Sequence, residues 1–415
     1  MLAKDRERLR DLARQQRDIA HSDEMQKTRA LWQAHNDFRG QRPMILVELW
    51  TFGDELIPER MRCQGEEARA IERSFLSTLI PYTVYHDDQV VPPHFAVTRD
   101  IWFRIFDVDI RTEHSRDSAG REIGHRFEQV IHDFQEDVPL LDPSAWGYER
   151  EKTRHRIEVC TETFGDILPV KLTGASLGAT PTQDVVHLMG MKDMLFAMMD
   201  YPEDFRAFME RIADEYLAFF DWLAAENLLL PTTAEEHLAQ GSYCFTTELP
   251  GAELDRPHSP ADLWGYMDSQ ESVGISPAMF AELIWPAYHR VAEHFGLLSY
   301  GCCEPVHGIW DSCLSTLKHL RKVSISPWCD QRFMGERLAG RRTIFHRKPS
   351  PLYLGTGTTL DEEGLTAHIE ETLAAAAGCT LEFSQRDVYT INHDPGKPRR
   401  YVEILRETID RCWHG

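Results

Sequence analysis

A chain of 415 residues, 42% hydrophobic and 27% charged, has ample material for a core and is long enough for a large α/β barrel. Its formal charge of −22 excludes nucleic acid as a bulk partner. No apolar run approaches the roughly 20 residues needed to cross a bilayer. Nine cysteines without paired spacing point to thiols in a reducing compartment. The stretch Met1 to Ala20 is too charged for a secretory signal, which adds to a cytoplasmic expectation.

Residues 3 to 39 read as one or two charged helices with a thin apolar stripe (Leu9, Leu12, Ala13, Ile19, Ala20) that packs on the body or on a sister subunit. Segment 1–42 is therefore expected to be a helical extension to a body spanning 43–415. Pro43 to Trp50 is the first buried strand, and Glu48 is a carboxylate at its end. Residues 85–150 form an excursion over the body: Asp87 to Asp107 is rich in proline and aromatics, and Arg111 to Arg126, with Gly120 and Gly124, reads as an exposed hairpin. A strand over Leu168–Leu172 ends at Thr173-Gly174. Helical sequence follows, with Met189, Met191, Met194, Leu195, Met198 and Met199 as core filler. A long amphipathic helix covers 203–226. Strand candidates then recur at Ser242–Thr247, Leu263–Met267, Leu297–Gly301, Val323–Ser326, Thr343–Phe345 and Thr380–Phe383, mostly separated by helical sequence such as 277–294 and 362–377. Eight strands alternating with helices predict a closed parallel (β/α)8 barrel with its chemistry at the carboxyl ends of the strands.

The densest chemistry follows the strand at 297–301. Cys302, Cys303, Glu304 and His307 are four potential metal ligands within six positions, and thiolate with imidazole suits zinc better than magnesium or calcium. Adjacent strand residues face opposite sides, so Cys302 faces the site and Cys303 packs behind the barrel, unless the strand kinks at Gly301. Buried cysteine is also simply a small core residue. Gln270 and Glu271 end another strand, where Glu271 either transfers protons or caps the helix beginning near Pro277. Asp330 and Cys329 sit at the next rim position. Glu271, Asp330 and Asp387 are the catalytic candidates, and helix capping competes with catalysis at the last. Cys302, Glu304, His307 and Cys329 are the metal candidates. Glu48, Trp50, Gln270, Tyr300, Trp328, His346 and Arg386 are candidates for substrate contact. His346, Arg347 and Lys348 form a small positive patch that suits a carboxylate or phosphate. His237 falls on a loop or short helix above the barrel; Tyr389 and His393 lie near Asp387.

The run Asp268-Ser-Gln-Glu-Ser-Val-Gly-Ile-Ser-Pro277, with Phe280 and Trp285-Pro-Ala-Tyr288, resembles the fifth strand and following helix of the uroporphyrinogen decarboxylase superfamily. Asp200-Tyr-Pro-Glu-Asp204 resembles the start of another of its helices, and the likeness spans roughly 166–411. One branch of that superfamily decarboxylates a porphyrinogen without a cofactor. The other comprises zinc-dependent methyltransferases that move a methyl group between a corrinoid protein and a thiol. The chain departs from both. Its first strand continues into Trp50-Thr-Phe-Gly-Asp-Glu-Leu56 rather than an arginine-rich segment. Tyr300-Gly-Cys302 matches the cysteine but not the histidine of the methyltransferase metal motif, and Ser384-Gln-Arg-Asp387 stands where a second cysteine would fall. Glu304 or His307 could replace the missing ligand. The resemblance implies zinc-assisted methyl transfer with a corrinoid protein as partner, and a homodimer. The alternatives are a cofactor-free carboxy-lyase acting on a porphyrinogen or small acid, and a non-catalytic tetrapyrrole-binding protein.

Overall fold

A computed structural model describes residues 1–116, 122–174, 177–233, 237–252 and 254–414. The predicted hairpin tip around Gly120 and the stretch 234–236 before His237 lie outside the described residues. In chain order the strands are β1 (Met44–Val47), β2 (Phe95–Thr98), β3 (Ile101–Arg104), β4 (Thr112–Arg116), β5 (Glu122–Phe127), β6 (Ala145–Tyr148), β7 (Val170–Thr173), β8 (Leu177–Ala179), β9 (His237–Leu238), β10 (Ser242–Tyr243), β11 (Trp264–Met267), β12 (Leu297–Tyr300), β13 (Leu320–Ile325), β14 (Ile344–Arg347) and β15 (Leu381–Gln385).

Seven of them form one parallel sheet in the order β1-β15-β14-β13-β12-β11-β8, with helices such as Pro202–Ala225 and Glu362–Ala375 between strands. Both faces are covered, which is why runs such as Ile45-Leu-Val47 are continuously apolar. Among the described residues no ladder joins β1 to β8, so hydrogen bonding leaves the sheet open there. The outer edge of β1 is met instead by a turn: Asp88 N–H donates to Ile45 O at 2.9 Å, and the Asp88 and Asp87 carboxylates accept from Ile45 and Val47 N–H at 2.8 Å.

Two predicted strands go elsewhere. The one at 168–172 appears as β7, paired in parallel with β2 of the excursion, and the sheet position falls to the three-residue β8. The stretch 242–247 makes only a two-residue antiparallel pair with β9. Side chains have taken over its backbone groups: Asn36 Nδ2 donates to Tyr243 O (2.9 Å) and Phe245 O (2.7 Å), and Trp264 Nε1 donates to Cys244 O (2.9 Å). From Gly241 to Cys244 this segment is tied to β11, β13 and β15 as a strap, by bonds from Trp264, Lys322 and Ser384. The helix Pro181–Asp200 also differs from expectation. It kinks at Gly190 (φ +81°), so Met189, Met194 and Met198 are buried while Met191, Leu195 and Met199 are exposed.

Beneath the strap the sheet interior is ionic. Lys322 Nζ donates to Glu382 Oε2 (2.8 Å) and to Ser242 Oγ (2.6 Å), and His35, from the N-terminal helix Asp23–Asn36, meets the same carboxylate at 3.0 Å. Burial favours the neutral acid, but Lys322, His346 and His35 hold Glu382 well below the usual carboxylate range.

Candidate functional site

The strand register sets the site. Val47 pairs with Gln385, so Glu48 and Arg386 follow side by side at the carboxyl ends of β1 and β15. Arg386 Nε donates to Glu48 Oε2 at 2.6 Å, and Trp50 Nε1 donates to the same oxygen at 3.0 Å. Met267 pairs with Tyr300, which brings Asp268 beside the turn after β12. Gly301 there has φ +101°, a left-handed value that glycine adopts without penalty. The turn swings the next two side chains together, and Cys302 Sγ and Cys303 Sγ lie 3.5 Å apart. The two cysteines thus follow the expected exception, a strand kinked at Gly301, rather than facing opposite sides.

The thiol pair is set among charges. Arg386 Nη1 donates to Cys302 Sγ at 3.7 Å, and the Cys303 thiol donates to Asp387 Oδ2 at 3.8 Å. Lys348 Nζ reaches in from the end of β14 to donate to Gly301 O (3.2 Å), Cys302 O (3.3 Å) and Gln240 Oε1 (2.9 Å). Gln240, on the strap, also accepts from Arg386 Nη1. A cavity of about 420 Å³ opens beside Glu48, lined in part by Trp50, Arg73, His237 and Gln240.

The two thiols are unequal. Hydrogen bonding to Cys303, then burial, pushes the Cys302 thiol up. The Cys303 thiol is lowered, chiefly because its thiolate accepts from Cys302, with Lys348 and Arg386 helping against burial and Asp387. The two sulfurs therefore titrate as a pair rather than as separate thiols. Lys348 is itself lowered by burial and by Arg386. Across the mouth, burial and then the Glu304 charge push the Asp268 carboxyl up to about 7. Tyr266 O–H donates to its Oδ2, and its Oδ1 is buried without a partner.

The predicted metal quartet does not assemble. Glu304 accepts backbone N–H bonds from Ser269 and Cys302, both at 2.8 Å, and so braces two strand-end turns. His307 opens a short helix and its Nδ1 accepts from Asp330 N–H at 3.2 Å. Cys329, pushed up to about 12 by burial, lines a different cavity together with Asp330. Among the described residues no group of three or more His, Cys, Asp or Glu side chains converges so as to hold a metal ion.

Other candidates take structural roles. Asp330 caps the helix Gln331–Leu338 by accepting from Arg332 and Phe333 N–H. Tyr300 is buried with its hydroxyl 2.7 Å from Ser269 Oγ. Glu271 accepts from Thr182 Oγ1 at 3.0 Å, and burial raises its carboxyl. Gln270 opens the same single turn, Gln270–Ser272. Trp328 is 66% exposed. The predicted positive patch splits three ways: His346 points into the ionic interior (Nε2 to Ser384 Oγ, 2.7 Å), Lys348 into the mouth, and Arg347 toward His368. Asp387 stands at the mouth, while His393 is exposed, its N–H donating to Glu55.

Sequence reasoning passed over Asp268 and Gln240 as site members, and had Lys348 only as part of a positive patch. Asp268 is the first residue past β11, a position that marks it; Gln240 carries no such mark, because the strap folds in from outside the sheet.

The fold and site define an α/β protein with a parallel sheet and a thiol-bearing strand-end mouth. No protein-family model matches the chain, and no curated protein matches it. Among solved structures it is similar to a methyltransferase from Methanosarcina mazei, with TM-score 0.51 and 12% identity over 93% of this chain and 98% of the other. At that identity the likeness is one of fold.

Proposed function

We propose that the protein is a methyltransferase-like enzyme of the (β/α)8 class that works at the Cys302–Cys303 pair. The observation that carries this reading is the 3.5 Å contact between the two sulfurs, flanked by Arg386. The fold neighbour, named a methyltransferase, supports methyl as the group moved. In the proposed step the Cys303 thiolate attacks a methyl carbon. An S–C bond forms, the bond from methyl to its carrier breaks, and the electron pair leaves with the carrier atom. Attack by an acceptor on the S-methyl group returns the thiolate. Lys348 and Arg386 stabilise the thiolate and attract an anionic substrate, and Asp268 exchanges the proton of the incoming acceptor.

The carrier we propose is a corrinoid on a partner protein. Zinc would need about four ligands at tetrahedral positions. Glu304 is committed to backbone N–H groups, His307 Nδ1 accepts from Asp330 N–H, and burial holds the Cys329 thiol protonated, so the residues present do not fit it and no step depends on it. Incubation with methylcobalamin and a small thiol tests the proposal. Loss of the cobalt–methyl absorbance that Cys303→Ala abolishes is expected; no demethylation by the wild-type protein overturns it.

A second reading rests on Asp268. A protonated carboxyl beside Lys348 could deliver a proton to the carbanion left by decarboxylation of a small acid. Release of carbon dioxide that depends on Asp268 but not on Cys303 would favour it.

A further inference from the structure

Arg347 ends β14 but turns away from the mouth. It is 3% exposed and lines a second cavity of about 380 Å³, bounded also by Ser350, Tyr353, His368 and the start of the helix Gln331–Leu338. Its Nη1 donates to Ile325 O (3.1 Å) and Ser326 O (2.8 Å), and its Nη2 lies 3.5 Å from His368 Nε2. Its Nε is buried with no hydrogen-bond partner. No carboxylate lies within ion-pair distance of it among the described residues.

The two acids that line the cavity are turned to other partners. Asp330 caps the helix, and Glu371 faces Arg332 at 3.6 Å. The Cys329 thiol stays protonated, so it supplies no counter-charge. The guanidinium donates only to carbonyl oxygens and is compensated only at longer range, by Glu371, an arrangement that folded proteins rarely retain without a use. Its Nε–Nη2 edge is the side that grips a carboxylate or phosphate in bidentate fashion.

His368 supports the same reading. Its Nε2 lies within reach of Arg347 Nη2, at 3.5 Å. The imidazole stacks on Tyr353 with centroids 4.7 Å apart, which fixes its plane.

We propose that Arg347, with His368, Tyr353 and Ser350, forms a second binding site that takes a small anion bearing a carboxylate or phosphate group. It shares no lining residue with the thiol mouth and does not depend on the reaction proposed there. An anion held here would tie the turn after β13 to the turn after β14, from which Lys348 enters the mouth.

The test is calorimetric titration of inorganic phosphate and of acetate, at constant ionic strength, into full-length wild-type protein and into Arg347→Gln, His368→Phe and Cys303→Ser. Saturable binding of at least one anion to wild type and to Cys303→Ser is expected, and the tighter anion assigns the ligand class. Arg347→Gln should bind at least roughly tenfold more weakly, as befits loss of a hydrogen bond to a charged group. If Arg347→Gln does not fold, His368→Phe decides, and there a several-fold loss is expected. Absence of saturable binding of either anion to the wild-type protein, or undiminished binding by the folded variants, overturns the proposal.

Discussion

Glu48 and Arg386 stand 338 positions apart in the chain, yet their side chains meet at 2.6 Å at the ends of neighbouring strands, both largely shielded from water. The pair ties the first strand of the sheet to the last and aims the guanidinium at Cys302. Arg386→Gln would leave Glu48 without its cation. It should cost about 1–3 kcal/mol, between the values for exposed and buried pairs. Chemical denaturation of Glu48→Gln, Arg386→Gln and the double variant checks this. The double variant should lose less than the sum of the two singles, and additivity within about 0.5 kcal/mol would show that the pair is not coupled.

Asp268 predicts a pH effect. Its carboxyl is raised to about 7, chiefly by burial, from the ordinary value of about 3.9. The folded state therefore holds a proton that the unfolded state has released between these values. The stability this contributes is full below about pH 4 and is lost as pH rises through about 7. At most about 4 kcal/mol is involved, from a shift of about three units at 1.36 kcal/mol each. Asp268→Asn should flatten that part of the curve. Equal pH slopes for the variant and the wild type would contradict the assignment.

The strap depends on a glycine. Gly241 has φ +75°, and a methyl group there would lie 3.1 Å from Glu48 Oε1 and 3.2 Å from Ser384 Cβ. Gly241→Ala should destabilise the protein by roughly 1–3 kcal/mol, through backbone strain and crowding together. It should also loosen Gln240 from Arg386 and Lys348. Thermal unfolding reads the first effect, and faster reaction of Cys303 with bulky thiol reagents reads the second.

Much of the sheet was legible because parallel strands covered on both faces are uninterrupted apolar runs. The strands near 44, 264, 297, 344 and 381 lie within a few residues of where the sequence places them. The errors have local causes. β8 is only three residues long, with a glycine at its centre, and gives too weak a pattern to read. The 242–247 stretch has strand composition, but its backbone partners are side chains of Trp264 and of Asn36, the latter far away in the chain. At the site, residue type and strand position pointed to Cys302, Glu48 and Arg386 as neighbours of the mouth. They raised the kink at Gly301 only as an exception, and could not reveal that Glu304 spends its oxygens on backbone N–H groups. Both depend on a single left-handed turn, whose geometry spacing does not encode.

The central claim is that Cys303 is the activated nucleophile of a thiol pair. Iodoacetamide tests it directly, because it delivers a carbon to sulfur by the same displacement proposed for methyl. The measurement is the pH dependence of alkylation of the folded protein, with each site identified by peptide mass mapping. The account predicts that Cys303 reacts first, with an apparent pKa below the roughly 8.5 of an ordinary thiol. Lys348→Met and Arg386→Gln should each move that value upward, and Cys302 should stay unmodified until Cys303 has reacted. First reaction at another cysteine, or a Cys303 that titrates at or above the ordinary thiol value, would contradict the account.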